Sequence, residues 1–212
     1  MITRPLRELI ARVHDIAKGA ALMTGTTVET KVYSGVSNLV GNLPLEQAMQ
    51  AEFDKLGPVP FEKEDEAFAK EIRETLTTED IAASFQRAGR QTPPELPLCD
   101  FVAPLDRPSY GGEGSTDVGD VSWVTPTVQA RVATCAVGTP FHTWQTVAQG
   151  KTPAAHKGMV HAAKVMAATA TNLINSPETL KAARAVHNER QQTTPYNCPI
   201  PKNAKPPVIE NP

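Results

Sequence analysis

The amino-acid sequence predicts an α/β fold in which helices flank a mixed sheet. Apolar residues recur three and four positions apart in several stretches, the first from Leu6 to Leu22, which is typical of amphipathic helices. Two runs rich in β-branched residues, Thr26 to Tyr33 and Val128 to Val137, predict strands. The second run is followed by the turn Gly138-Thr139-Pro140 and then by His142. Enzymes of the α/β class place reactive groups and metal ligands beyond strand ends in this way.

The remaining helices are predicted from their end signals as well as from their periodicity. Pro44 near a first helical position and Gly57 as a stop bound the second helix. Acidic residues at the start of the third helix suit the positive end of its dipole. Ser176-Pro177-Glu178 is an N-cap, a first-position proline and a favourable charge. These helices are expected over residues 44–56, 63–76, 154–174 and 177–190, with a broken helix over 77–90.

Two irregular segments complete the predicted chain. Prolines and glycines between Gln91 and Gly114 rule out long regular structure, and a loop of that length is more often functional than idle. It leads into a glycine-containing turn that carries Asp117 and Asp120. The C-terminal residues 191–212 show no helix or strand pattern and are expected to form an extended tail.

Composition restricts the class of protein. The 212 residues, 40% of them hydrophobic, can bury a core, and a net charge of -2 gives no reason to expect nucleic acid as a partner. No run is long enough to cross a bilayer, and the N-terminus lacks the apolar region of a signal peptide. Three cysteines without a CxxC pair fit a reducing compartment. We therefore expect a cytoplasmic protein without a membrane partner.

The residues that could carry chemistry are few. Phosphate-binding glycine loops and the G-x-S-x-G nucleophile motif are absent from the sequence. His156 and His161 are five residues apart on one predicted helix, so they face different directions and are expected to be structural or surface residues. His142 is either a ligand or a packed, hydrogen-bonded histidine. A metal site needs three or four protein ligands, and spacing alone assembles none.

Five blocks of sequence resemble the M20 family of metal-dependent amidohydrolases and peptidases. They are residues 17–24, 115–123, 138–145, 155–159 and 198–203, in register from the first helix to the tail. The resemblance implies that residues 1–34 end a lid or dimerisation domain of α+β type. Residues 35–190 would then form the C-terminal part of the catalytic domain, a mixed sheet with flanking helices, before the tail.

The same resemblance implies a site. His142 matches the family's last ligand to a divalent metal, zinc or manganese. The four residues expected to border the substrate pocket are Asp117, Gly119, Gly138 and Thr139. For Asp117 an alternative remains, an Asx-type turn that only fixes the loop.

The sequence also departs from the family pattern, and the departures limit what the chain can do alone. It has no match for the family's upstream bridging aspartate, its other metal ligands, its paired glutamates or its lid histidine. The metal site would therefore be incomplete, since one imidazole cannot hold the metal that activates water.

Two functions follow as expectations. In the first, the chain is the C-terminal portion of an amidohydrolase that cleaves N-acyl or N-aroyl amino acids, inactive by itself. Its partners would be the small-molecule amide substrate and a complementing N-terminal half, a related A-type subunit or a second copy. In the second, it is a non-catalytic module that binds a partner through an unpaired sheet edge and the lid helix.

Overall fold

A computed structural model describes residues 4–90, 95–106, 116–202 and 204–205 of the chain. Parts of the predicted loop, 91–94 and 107–115, and of the predicted tail, 203 and 206–212, lie outside the described residues. The helices of the described residues are α1 (Arg4–Thr24), α2 (Leu43–Leu56), α3 (Lys63–Arg73), α4 (Thr78–Arg87), α5 (Val118–Val124), α6 (Trp144–Gln149), α7 (Pro153–Ile174) and α8 (Pro177–Thr193).

The predicted α/β fold is wrong, because the described residues form helices and no strand or sheet. Residues 26–33 and 128–137, both predicted as strands, belong to neither a helix nor a strand. The mixed sheet and the unpaired sheet edge are therefore absent from the described part of the chain. Residues 4–33, which the resemblance places at the end of an α+β lid, form a helix followed by an irregular segment.

The contacts of segment 128–137 explain why its β-rich composition wrongly predicts a strand. A strand needs a neighbouring strand for its backbone groups, whereas here Ala136 N–H donates to the Gln149 side chain at 2.6 Å and Val137 N–H to the Pro97 carbonyl at 2.9 Å. The segment lies against α7 at Gly158, where any Cβ would overlap the carbonyl oxygen of Ala133. The segment thus packs on a helix at this point and does not pair within a sheet.

The long helices are confirmed. The structure forms α1, α2, α3, α7 and α8 where periodicity predicts them, and α4 stands in the stretch expected to be a broken helix. Pro44 lies at the start of α2, and Gly57 ends it with a φ of 72°. Thr77 caps α4 and Thr152 caps α7, each accepting a backbone N–H through its side chain. The last helix continues to Thr193, three residues into the predicted tail.

The chain divides into two compact units, and α8 contributes to both. The first unit comprises Met1–Gly41, Glu113–Thr127 and Arg184–Pro212; the second comprises Asn42–Gly112 and Val128–Ala183. In the second unit a buried apolar cluster joins α3, the 97–98 segment, residue 136 and the start of α7; it consists of Ala69, Ile72, Leu98, Ala136 and Ala154. α2 packs against α7, where Asn172 donates a 3.0 Å hydrogen bond to Glu52.

An ion pair between a buried carboxylate and a partly exposed lysine links α3 to α7 in the second unit. Glu62 and Asp65 form a reciprocal capping box at the start of α3. The Lys157 ammonium group lies 2.6 Å from Asp65 and 2.9 Å from Glu62. Burial alone would raise the pKa of Asp65, but hydrogen bonds from Lys157 and from the Glu62 backbone outweigh it and hold the pKa below its ordinary value. The pair fixes α7 against the helix that carries part of the core.

None of the helices in the described residues is both long enough and apolar enough to cross a membrane.

Candidate functional site

The five residues predicted to form the site fall into different units. Asp117 and Gly119 belong to the first unit, whereas Gly138, Thr139 and His142 belong to the second. The structure brings the last three together in one short loop and places the first two at the start of α5.

Gly138 and Thr139 form a tight turn after the 128–137 segment. Thr139 N–H donates to the Ala136 carbonyl at 3.1 Å, and the Thr139 hydroxyl donates to the same oxygen at 2.7 Å. Gly138 has a φ of 98°, and a Cβ there would lie 2.7 Å from the Ile81 side chain. The glycine is thus required twice, by its left-handed backbone and by its contact with Ile81.

A buried glutamine holds this turn in place. The Gln149 side chain, 3% exposed, accepts the Ala136 N–H at 2.6 Å and donates to the Thr139 hydroxyl at 3.0 Å. It also donates to the Gln145 carbonyl one turn earlier in α6, at 3.0 Å. The amide therefore ties the turn to α6 through two hydrogen bonds and makes the third within α6. The sequence does not reveal this role of Gln149, because a single glutamine before a glycine carries no pattern.

His142 lies between this turn and α6 with its side chain exposed. Its φ is 64°, the left-handed region that residues other than glycine seldom occupy, although histidine is among those enriched there. The loop on either side is hydrogen-bonded: the hydroxyls of Thr143 and Thr146 donate to the Pro140 carbonyl at 2.8 and 2.7 Å. The alternative of a packed core histidine is therefore not what the structure shows, and an exposed imidazole is available to a partner or ligand.

The described residues do not assemble a metal centre around it. Within the described ranges, no three His, Cys, Asp or Glu side chains are grouped so that they could hold a metal ion. A single imidazole does not satisfy the three or four ligands that zinc requires. The role of His142 as a metal ligand stays a prediction, and no chemical step can be derived through a metal from this chain's residues.

The second unit also contains a cavity of about 240 Å³. Its lining includes Gln149, the apolar side chains of Phe68 and Leu98, and the ion pair of Asp65 with Lys157. None of the five predicted site residues lines it. The cavity and the Gly138-Thr139 turn are connected through Gln149, which contributes to both.

In the first unit, Asp117 and Gly119 differ in exposure. The Asp117 side chain is exposed and forms no capping hydrogen bond with α5, which it precedes. Gly119 is buried against the 35–40 segment, and a Cβ there would overlap the carbonyl oxygen of Ser37. Close packing accounts for this glycine without a ligand. Contact of either residue with substrate stays a prediction.

The neighbouring carboxylate, Asp120, is the centre of a hydrogen-bonded network in the first unit. It accepts the Ser37 N–H at 3.0 Å and the Tyr196 hydroxyl at 2.8 Å. Burial alone would raise the pKa of Asp120, but these hydrogen bonds outweigh it and lower the pKa below its ordinary value. Burial, and then the bond to Asp120, raises the pKa of Tyr196. At neutral pH Asp120 is therefore ionised and the Tyr196 hydroxyl keeps its proton, as this hydrogen bond requires.

Trp123, three residues further along α5, completes this network. Its indole N–H donates to the Asn38 carbonyl at 2.9 Å, and its ring stacks on Tyr196 with centroids 6.4 Å apart. Its own carbonyl accepts from the His187 imidazole at 3.2 Å and from the Gln191 side chain. Through Trp123, α5 is bound to the 35–40 segment, to α8 and to Tyr196 of the predicted tail. Within the block 115–123, Asp120 and Trp123 therefore stabilise the first unit, a role that the sequence does not reveal.

Of the histidines on α7, His156 is exposed, whereas His161 is buried and its Nε2–H donates to the Gly57 carbonyl at 2.9 Å. His161 thus binds the end of α2 to α7, and the prediction of structural and surface roles for this pair is confirmed.

Comparison with known proteins supplies what the geometry leaves open. No family model matches the chain, and no solved structure matches it. Beyond the M20 family as a whole, the five sequence blocks resemble one protein in particular, the C-terminal half of an aminobenzoyl-glutamate hydrolase of the B type. A curated relative confirms this resemblance. The chain is 43% identical over 211 residues to the B subunit of p-aminobenzoyl-glutamate hydrolase from Escherichia coli (strain K12). The match covers 95% of this chain and 44% of that relative, so the chain is similar along nearly its whole length to less than half of the relative.

Proposed function

We propose that this chain is the C-terminal portion of a hydrolase that acts on aminobenzoyl-glutamate or related N-acyl and N-aroyl amino acids. The observation that carries the proposal is the 43% identity to a p-aminobenzoyl-glutamate hydrolase chain over 95% of the sequence. The reaction adds water across one amide bond and releases a carboxylic acid, aromatic in the case of aminobenzoyl-glutamate, and an amino acid. Membership of the M20 family and dependence on zinc or manganese are part of the proposal.

Within that enzyme, His142 would be one metal ligand, and Asp117, Gly119, Gly138 and Thr139 would border the substrate. The support is the exposed imidazole of His142 on a loop that Thr143, Thr146 and Gln149 hold by hydrogen bonds. Such a loop can present a side chain in a fixed position, as a ligand site requires. The remaining ligands and the general base would come from polypeptide that this chain does not contain.

The partner in this proposal is polypeptide equivalent to the part of the relative that the match leaves uncovered. The match accounts for 44% of the relative, so more than half of that protein has no counterpart in this sequence. Ligands missing from this sequence would be supplied by polypeptide equivalent to that part, or by a related A-type subunit. The protein would act in the cytoplasm.

Reconstitution tests the proposal directly. The purified chain, the uncovered part of the E. coli relative and their equimolar mixture are each incubated with p-aminobenzoyl-glutamate and zinc or manganese. We expect release of p-aminobenzoate from the mixture alone, abolished by a chelator and restored by the metal. Turnover by the isolated chain would contradict the assignment of the missing groups to a partner. A complex that forms without turnover would favour the non-catalytic alternative.

A further inference from the structure

The cavity in the second unit has the size and the walls of a binding site for one small ring. Its volume is about 240 Å³, which lies between the roughly 150 Å³ that accommodates benzene and the about 300–1,000 Å³ of pockets for drug-sized ligands. Its apolar lining comes from α3, from residue 98 and from the first turn of α7, and consists of Phe68, Ala69, Leu98, Pro153 and Ala154. A ring with one short substituent therefore fits this space and covers apolar surface there.

The polar side of the cavity carries more negative than positive charge. Glu62, Glu64 and Asp65, at the start of α3, line it together with Lys157, so three carboxylates face one ammonium group. That ammonium group is already engaged, at 2.6 Å from Asp65 and 2.9 Å from Glu62. The N-termini of α3 and α7 contribute partial positive charges of about 0.5 each, which reduce the excess negative charge without cancelling it. The cavity therefore disfavours an anion and favours a ligand with one positive charge.

Asp65 offers such a ligand a fixed acceptor. Its side chain is only 2% exposed and lines the cavity. The Glu62 N–H donates to Asp65 Oδ2 at 2.8 Å, and the Lys157 ammonium group donates to the same oxygen at 2.6 Å. Because both of these bonds end on Oδ2, they hold the carboxylate in one orientation and leave Oδ1 as the oxygen to which a ligand can donate. A hydrogen bond from an ammonium group to a carboxylate is about twice as strong as one between neutral groups.

We propose that this cavity binds a primary ammonium group carried on a single ring. Asp65 Oδ1 and the Glu64 carboxylate accept hydrogen bonds from the ammonium group. The ring packs against Phe68 and Leu98, which removes apolar surface of both ligand and protein from water. None of the five residues of the predicted amidohydrolase site lines the cavity, so this site is additional to the proposed function and does not rest on it.

An NMR titration of the isotopically labelled full chain tests the proposal with three ligands of similar size: benzylamine, the neutral benzyl alcohol and the anion benzoate. Benzylamine should shift the backbone amide signals of Ala69, Leu98 and Ala154, with a Kd below about 1 mM, which a ligand of this size can reach. Benzyl alcohol should bind at least about tenfold more weakly, because it lacks the charge, and benzoate should not bind. Shifts confined to other residues, equal affinity for the three ligands, tighter binding of benzoate or no binding of benzylamine would each overturn the proposal.

Two variants test the assigned contacts. Glu64→Gln removes the charge of an exposed side chain, and Phe68→Ala removes a ring that is 37% exposed, so the fold should tolerate both. Each should weaken benzylamine binding at least about threefold. The matched controls are Glu71→Gln, an exposed carboxylate on α3 outside the cavity lining, and Phe141→Ala, a ring of the same unit that is 76% exposed.

Both control variants should bind benzylamine as the wild type does, and thermal melts check that all four variants stay folded. Unchanged affinity in either test variant, or an equal loss in its control, would overturn the assignment of these contacts. None of these measurements depends on turnover. Failure of the reconstituted hydrolysis would therefore contradict the proposed function and leave this site standing, and absence of benzylamine binding would do the reverse.

Discussion

The Tyr196 hydroxyl donates a 2.8 Å hydrogen bond to the Asp120 carboxylate across 76 positions of the sequence. The bond joins the residues after α8 to α5, and the stacking of Tyr196 on Trp123 accompanies it. Hydrogen bonds to a charged group contribute more to stability than those between neutral groups. The residues after α8 are therefore expected to contribute to the stability of the first unit.

Tyr196→Phe should lower the free energy of unfolding of the first unit by about 1–2 kcal/mol, because it removes a hydrogen bond to a charged group and retains the ring. In a Trp144→Phe background Trp123 is the one remaining tryptophan, and its fluorescence in urea reports on this unit. Tyr33→Phe is the control, since Tyr33 is 63% exposed. Equal stability of the two variants would show that the bond to Asp120 contributes nothing.

Stability should depend on pH through Asp120. Because folding lowers the pKa of Asp120, its contribution is fully present above the unfolded pKa of about 4. That contribution is lost as pH falls through the lower folded pKa. Asp120→Asn should therefore be less stable than the wild type at pH 7, and the gap should close progressively below about pH 4 in urea titrations.

Asp117→Asn is the matched control, with an exposed carboxylate three residues away. A gap between wild type and Asp120→Asn that is unchanged at pH 3, or the same gap in Asp117→Asn, would contradict this assignment.

Gln149→Ala should destabilise the second unit by about 1–3 kcal/mol, since it leaves the Ala136 N–H without its partner. Hydrogen exchange at the Ala136 amide should be faster in the variant, a local effect that a general loss of stability would not single out. Gln47→Ala serves as the control on an exposed face of α2. Unchanged exchange at Ala136 would mean that Gln149 does not hold the Gly138-Thr139 turn.

Two glycine-to-alanine variants in helices should shift thermal stability in opposite directions. Gly19→Ala in α1 meets no atom within 4 Å and should stabilise by up to about 1 kcal/mol through helix propensity. Gly158→Ala in α7 would overlap the Ala133 carbonyl, and overpacking of this kind costs about 1–3 kcal/mol. Equal shifts in the two variants would show that the 128–137 segment can move away from α7 without cost.

The sequence predicted the long helices because their signals are local. Periodicity, Pro44, Gly57 and the acidic start of α3 all lie within a few residues of what they specify. The two predicted strands are absent because a strand forms only beside a neighbouring strand elsewhere in the chain, and local composition does not show whether that neighbour exists. Composition identified 128–137 as β-rich, but its actual neighbours are α7, Gln149 and Pro97.

The short helices and the site contacts escaped prediction for related reasons. α5 has seven residues and α6 has six, too few for an apolar period to repeat. The Gly138-Thr139-His142 loop is predicted from its glycine and proline after an apolar run, and its role only from the family resemblance. The partners of Asp120 and Gln149 were not found, because a hydrogen bond between residues 76 or 13 positions apart leaves no mark on the intervening sequence.

The left-handed backbone of His142 decides how that residue can be examined. An alanine at a φ of 64° carries a steric cost of about 1 kcal/mol, with no polar side chain that could form a compensating local hydrogen bond. His142→Ala would therefore alter the path of the loop and remove the imidazole in one step. Asparagine tolerates this conformation and lacks the ring, so His142→Asn separates chemistry from geometry. A loss of function seen in alanine but absent from asparagine would belong to the backbone, and only a loss shared by both would belong to the imidazole.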